Sequence, residues 1–210
     1  MSGEVTANGN YLRRTTGYSG AITVCTWFRL LSVTGFHTIW SQDDNANFYP
    51  GLYTDTTNLR FVQSGISDVV IKTGLAANTW YWTGIVYETG VNAEFYTGLG
   101  GALTHTTGAV SGGGYPATAM TLFDENAADQ NLNGELCAFK AWTGRLSSDE
   151  MTYEYLKGNP QRALNLDVFL PSTNGVAAWQ GIDMSGQGHN FTKTGTISTA
   201  RTMPPITWSR

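Results

Sequence analysis

Charge is what this sequence has least of. Only 13% of its 210 residues are Asp, Glu, Lys or Arg, about half the usual share. The 12 Lys and Arg are scattered, the net charge is −4, and no basic stripe is present. The electrostatic attraction that dominates nucleic-acid affinity is therefore missing. So is the basic patch that would hold an anionic membrane surface. Neither partner is expected. No run reaches 18 apolar residues, so no segment is expected to span a bilayer. The start, MSGEVTANGN, has neither a basic n-region nor an apolar h-region. No secretory signal is expected, and the chain is expected to stay, or be assembled, in the cytoplasm where it is made.

Cysteine is nearly absent too. Cys25 and Cys137 each lie in an apolar strand pattern. They read either as buried free thiols or as one disulfide between two strands. Two cysteines in a chain this long make no disulfide framework. The three histidines, His37, His105 and His189, share no ligand spacing with another His or Cys, which argues against zinc. No nucleophile elbow, phosphate-binding loop or dinucleotide fingerprint occurs.

What the chain does have is 41% hydrophobic and 12% aromatic residues with abundant glycine. Strand patterns recur at short intervals between Gly, Asn, Asp and Thr-Gly punctuation, the spacing of an all-β domain. The stretch from Ala77 to Leu99 organises the rest. Trp80, Trp82, Gly84 and Val86 point one way, and Tyr81, Thr83, Ile85 and Tyr87 the other. A strand apolar on both faces lies between two layers. After a turn at Thr89–Asn92, Ala93 to Thr97 returns as its partner. Ala21 to Leu31 is a second central strand. Asn47 to Thr54 carries Pro50 and Gly51, so it reads as an edge or bulged strand. Leu136 to Trp142 reads as strictly alternating, with Leu136, Ala138, Lys140 and Trp142 on one face. One helix is expected near 147–157. Ser147 and Glu150 form a capping box, Met151 and Tyr155 share a face, and Gly158 closes it. Arg162 to Trp179 reads as irregular, with an apolar patch at Val168-Phe169-Leu170.

Three stretches resemble one family. Ile22 to Leu30, ITVCTWFRL, is similar to its tryptophan-bearing strand. Trp80 to Gly98 is similar to its central hairpin. Asn133 to Tyr155, NGELCAFKAWTGRLSSDEMTYEY, joins strand, turn and capped helix and is the most specific. Together they resemble the laminin-G-like, pentraxin-like branch of the concanavalin A-like lectin/glucanase jelly rolls. Asp183 to Asn190, DMSGQGHN, resembles a further family element that usually precedes the body. Its late placement is known from single-domain bacteriophage proteins. A jelly roll tolerates it because first and last strands can pair. The resemblance implies an all-β, two-sheet antiparallel jelly-roll sandwich with one short helix. It would occupy 1–198, followed by an extended arm at 199–210. It also implies a usually non-catalytic protein that binds glycans or proteins.

Some relatives of the fold hydrolyse glycosides with two carboxylates about 5 Å apart. The comparable strand here offers Glu135 alone, with no partner at i+2 or i+4, so no enzyme is expected. Many relatives hold Ca²⁺ in edge loops. No cofactor is required here, but Ca²⁺ is a candidate ligand of a loose site using Asp124, Asn126, Asp129 and Asn131. Asp43, Asp44, Asn45 and Asn47 form a similar cluster. Either cluster also reads as a solvated Asx-rich turn. Glycan binding needs an exposed aromatic beside polar side chains. The candidates are Tyr49 with the Asp43–Asn47 cluster, and Tyr115 beside a triple glycine. In the arm, Pro204, Pro205 and Trp208 suggest docking on the domain, on another copy or on a larger assembly. Two functions are therefore expected. The first is a phage virion subunit, decorating the capsid or associated with the tail, that packs on other subunits or copies of itself. The alternative is a lectin-like carbohydrate-binding module.

Overall fold

The computed structural model describes residues 3–5, 10–43, 48–63, 68–88, 90–109, 119–123, 131–171, 181–199 and 203–206. Strands form where apolar and β-branched residues alternate. They are β1 (Gly3–Val5), β2 (Tyr11–Arg14), β3 (Ile22–Leu30), β4 (Phe36–Asp43) and β5 (Phe48–Asp55). Then come β6 (Asn58–Val62), β7 (Val69–Lys72), β8 (Trp80–Tyr87), β9 (Ala93–Gly98) and β10 (Thr104–Gly108). The last are β11 (Ala119–Leu122), β12 (Gly134–Thr143), β13 (Leu166–Leu170), β14 (Thr192–Thr194) and β15 (Ser198–Thr199), with helix α1 at Ser148–Tyr155 before β13.

They make two antiparallel sheets. One has eight strands in the order β10-β9-β8-β3-β12-β1-β15, with β13 also pairing to β12. The other has seven, β14-β2-β11-β4-β5-β6-β7. The expected two-sheet sandwich is present. The last strand pairs with the first, β15 with β1, so the late Asp183 element closes the fold as a leading one would.

Two apolar clusters fill it. Between the sheets lie Phe28, Trp40, Phe61, Tyr81, Ile85, Phe95 and Phe139 with their neighbours. On the other side of the eight-stranded sheet, Trp27, Trp82, Tyr96 and Trp142 pack with Met151 and Tyr155 of α1. The two apolar faces of β8 therefore meet a sheet on one side and a helix on the other. Gly84 and Gly98 make that approach possible, since a Cβ at either would collide with Met151 or Tyr155.

Three expectations are corrected, and a fourth, for β5, is met in one of its two forms. The alternation of β12 breaks where three steps from Cys137 to Lys140 oppose two from Trp27 to Cys25. Ala138 takes the extra place at φ 52°, a bulge that switches the parity of the strand. Leu136 consequently faces the inter-sheet core with Phe139 and Ala141, not with Trp142. Residues 166–170, read as irregular, form β13 because five buried side chains in a row find the free edge of β12. β5 is bulged as its Pro50 and Gly51 suggest, yet it lies inside its sheet, between β4 and β6. Helix α1 has the capping box Ser147–Glu150 but ends at Tyr155, with Leu156 as its C-cap, ahead of Gly158.

Cys25 and Cys137 are buried thiols and form no disulfide. Burial pushes the Cys25 thiol up to about 12, with the Lys140 charge opposing. No helix among the described residues is long and apolar enough to cross a membrane. Thr26, Thr83 and Thr97 sit side by side across β3, β8 and β9. They share the parity of Phe28, Ile85 and Phe95, so the row faces the inter-sheet core. The Thr83 hydroxyl is buried without a hydrogen-bond partner among the described residues. An unmatched buried hydroxyl costs about 1–3 kcal/mol. Thr83→Val is therefore expected to raise stability by about 1 kcal/mol, read as a higher urea midpoint at unchanged slope.

Candidate functional site

The expected loop sites fall largely outside the described residues. Asp43 ends β4 opposite Phe48 of β5, and Tyr49 follows in β5. Their side chains, and all of Asp44, Asn45, Asn47, Tyr115, Asp124, Asn126, Asp129 and Trp208, lie outside. Asn131 is described and sits inside the fold. Its backbone makes a bridge with Thr38, its carbonyl lies 3.1 Å from His37 Nδ1, and its side-chain amide donates to the Asn10 carbonyl (3.4 Å). That placement ties down the chain from inside. Pro204 is buried and Pro205 exposed. Pro205 seats on Gly100, where a Cβ would come within 2.7 Å of its Cγ. Ile206 packs against the helix-side cluster. This part of the arm docks on its own domain.

The described residues instead bring an aromatic and polar groups together on α1. The helix buries Met151, Glu154 and Tyr155. Tyr153 stands about 200° around the helix from Met151 and is 69% exposed. Glu154 is fully buried against an equally buried Lys140, at 2.7 Å. Its other oxygen accepts from the backbone N–H of Gln161 (2.6 Å) and Arg162 (2.9 Å). One carboxylate thus pins the returning chain beside the helix. The Arg162 guanidinium then donates to Glu150 Oε1 at 2.6 Å. Glu150 Oε2 accepts from Ser147 N–H at 2.7 Å. That backbone hydrogen bond, reinforced by the Ser147 hydroxyl and by Arg162, holds the Glu150 carboxyl below its usual range.

The result is an open groove of about 320 Å³ lined by Glu150, Tyr153, Glu154, Gln161 and Arg162. It presents a ring face, a guanidinium with N–H groups beyond the one given to Glu150, and the planar amide of Gln161. An aromatic beside planar polar groups suits a molecule with one apolar face and a rim of hydroxyls. Sequence reading used Glu150 only as a cap and passed over Tyr153. The signal was present, because a large aromatic opposite the Met151–Tyr155 stripe has no core to enter.

Three further carboxylates, all buried, are engaged within the fold. Glu135 takes a two-pronged contact from Arg29 across β3 and β12. Asp183 accepts from the backbone of Phe169 (2.8 Å), Ser185 (2.9 Å) and His189 (3.1 Å). The Asp-Ser-Gly element is thus a staple between the 181–191 loop and β13. Asp167 crosses between the sheets to Arg14 at 2.7 Å and also accepts from the Tyr18 hydroxyl. Among the described residues no cluster of three or more His, Cys, Asp and Glu could hold a metal ion.

No protein-family model matches the chain, and no curated protein matches it in sequence. Solved structures do match in shape. A candidate carbohydrate-binding protein from Bacteroides ovatus superposes with a TM-score of 0.67 at 14% identity, over 97% of this chain and 62% of that one. The heptameric SAP-like pentraxin of Limulus polyphemus gives 0.54 at 16% identity, over 70% of this chain and 77% of that one. The binding domain of botulinum neurotoxin serotype D gives 0.54 at 12% identity, over 71% and 41%. The chain spans less than two thirds of the length of the Bacteroides protein. With the strand order and the helix-covered sheet, these superpositions show a concanavalin A-like jelly-roll sandwich.

Proposed function

We propose that this chain is a non-catalytic, lectin-like carbohydrate-binding module. The observation that carries the reading is the α1 groove, where the 69% exposed Tyr153 stands beside Arg162, Glu150 and Gln161. The structural neighbours support it, since a candidate carbohydrate-binding protein is among them. The non-catalytic part rests on the carboxylates. Glu135 and Glu154 are committed to Arg29 and Lys140, which leaves neither as a free acid or nucleophile. Calcium in this reading is at most a helper in the loops, and EDTA tests it.

Tyr153→Ala is expected to weaken binding to a glycan array by about tenfold, the loss of about 1.4 kcal/mol of stacking. The thermal midpoint should stay put, because the ring is mostly exposed. Wild-type and variant proteins with equal glycan profiles would remove the groove from the reading. No glycan hits for either would remove the function. A second reading, a virion subunit acting by protein–protein packing, draws on the exposed Leu164, Met184 and Leu99. Tight oligomers that co-purify with phage particles, without glycan hits, would favour this second reading.

A further inference from the structure

A cleft of about 270 Å³ opens at the edge of the sandwich, where Lys72 of β7 faces the turn between β9 and β10. Thr97, Leu99, Gly101 and Thr104 line it from the other sheet. Lys72 is half-buried. Its ammonium lies 5.8 Å from the ring centroid of Tyr81, an inward-facing aromatic. It makes no ion pair among the described residues. Lys72 is the one charged side chain lining this cleft, so the cleft carries a positive charge. The site therefore has room and reason for an anion.

Its walls ask for more than a bare anion. Thr104 pairs with Thr97, which continues the threonine row inward to Thr83 and Thr26. Threonine side chains thus run from the cleft mouth toward the inter-sheet core. Thr83 keeps an unmatched hydroxyl immediately behind Thr97. Leu99, 53% exposed, gives the opposite character at the rim. A hydroxyl-rich ring with one carboxylate matches all three features.

We infer that this edge cleft binds a sugar acid. Its carboxylate is held by Lys72, its hydroxyls by Thr97 and Thr104, and its apolar side by Leu99. The site is separate from the Tyr153 groove and does not depend on it. The test is calorimetric titration of the full chain with glucuronate, glucose, acetate and sulfate. Glucuronate is expected to bind, glucose at least tenfold more weakly, and acetate and sulfate not to saturate in the same range. Lys72→Met should weaken glucuronate binding at least tenfold, and Lys72→Arg should restore most of it. The Lys72 substitutions are also titrated in the Tyr153→Ala background, which takes the groove out of the readout. The inference is overturned if glucuronate does not bind, if Lys72→Met binds it normally, or if glucose binds equally well. Acetate or sulfate as tight as glucuronate would overturn it too, leaving a plain anion site. Loss of glucuronate binding in Tyr153→Ala would move the acid to the groove. Loss of neutral glycans alone in that variant bears only on the groove.

Discussion

Lys140→Met is expected to lose about 3–5 kcal/mol of stability, the usual result of stranding one member of a buried ion pair. Both Lys140 and Glu154 are fully buried. The Lys140 ammonium also donates to the carbonyl of Lys157 at 2.8 Å, and lies 3.4 Å from those of Glu154 and Asn159. These carbonyls stand at and beyond the C-terminal end of α1, where the helix supplies no full next turn of N–H donors; the Glu154 carbonyl also accepts from the Lys157 N–H at 3.3 Å, and that of Asn159 from the Gln161 side-chain amide at 2.9 Å. One cation therefore neutralises Glu154 and caps the helix end. Methionine would fill the stem's volume but leave Glu154 a buried charge with no cation beside its Oε2, and take the ammonium from the Lys157 carbonyl. The double variant Lys140→Met/Glu154→Gln should recover part of the loss. It removes the stranded charge while an amide oxygen still accepts from Gln161 and Arg162. Urea unfolding of the wild type and both variants measures this. A single variant as stable as the wild type would show that the pair adds nothing. The groove should suffer with the staple, since Arg162 is placed by Glu154.

Trp82→Ala is expected to cost about 3–5 kcal/mol, the range for truncating a large buried aromatic. Its ring is 1% exposed and packs on Tyr155 with centroids 5.2 Å apart. It lies over Gly84, the position that lets Met151 approach. Trp80→Ala should cost far less, about 1 kcal/mol. Trp80 is only partly buried, on the rim of the helix-side cluster beside Arg29. The two tryptophans have the same parity in the sequence, and alternation alone ranks them equally. What separates them is where α1 lands. A chemical-denaturation series on both should show a gap of at least 2 kcal/mol. Equal losses would mean that the helix covers more of the sheet than its contacts show.

The lattice of strands was legible because a strand's faces are written locally, every second residue. The two-faced β8 announced layers on both sides. Ser147 and Glu150 announced the helix start, for a capping box is complete within four residues. The parity of β12 was not legible. Ala138 takes its positive φ because the bulge lets Leu136 and Phe139 both reach the inter-sheet core, a decision made by the opposite sheet. Nor was β13, whose short apolar run becomes a strand only because β12 offers it an edge.

The same division holds for function. The two-layer β class, the capped helix and the shortage of charge that argues against a nucleic-acid partner are all written in the amino-acid order. All of these follow from composition and from spacings of two to four residues. The packing of distant segments buries Lys140 and sets Gln161 and Arg162 beside Tyr153. It alone brought Lys72 of one sheet opposite Thr97 of the other. Those neighbours are separated by 8 to 25 places in the chain, and no local periodicity reports on them. They meet because burial of Trp82, Met151 and Tyr155 positions the helix, and burial of Phe61 and Phe95 brings the two sheets into register.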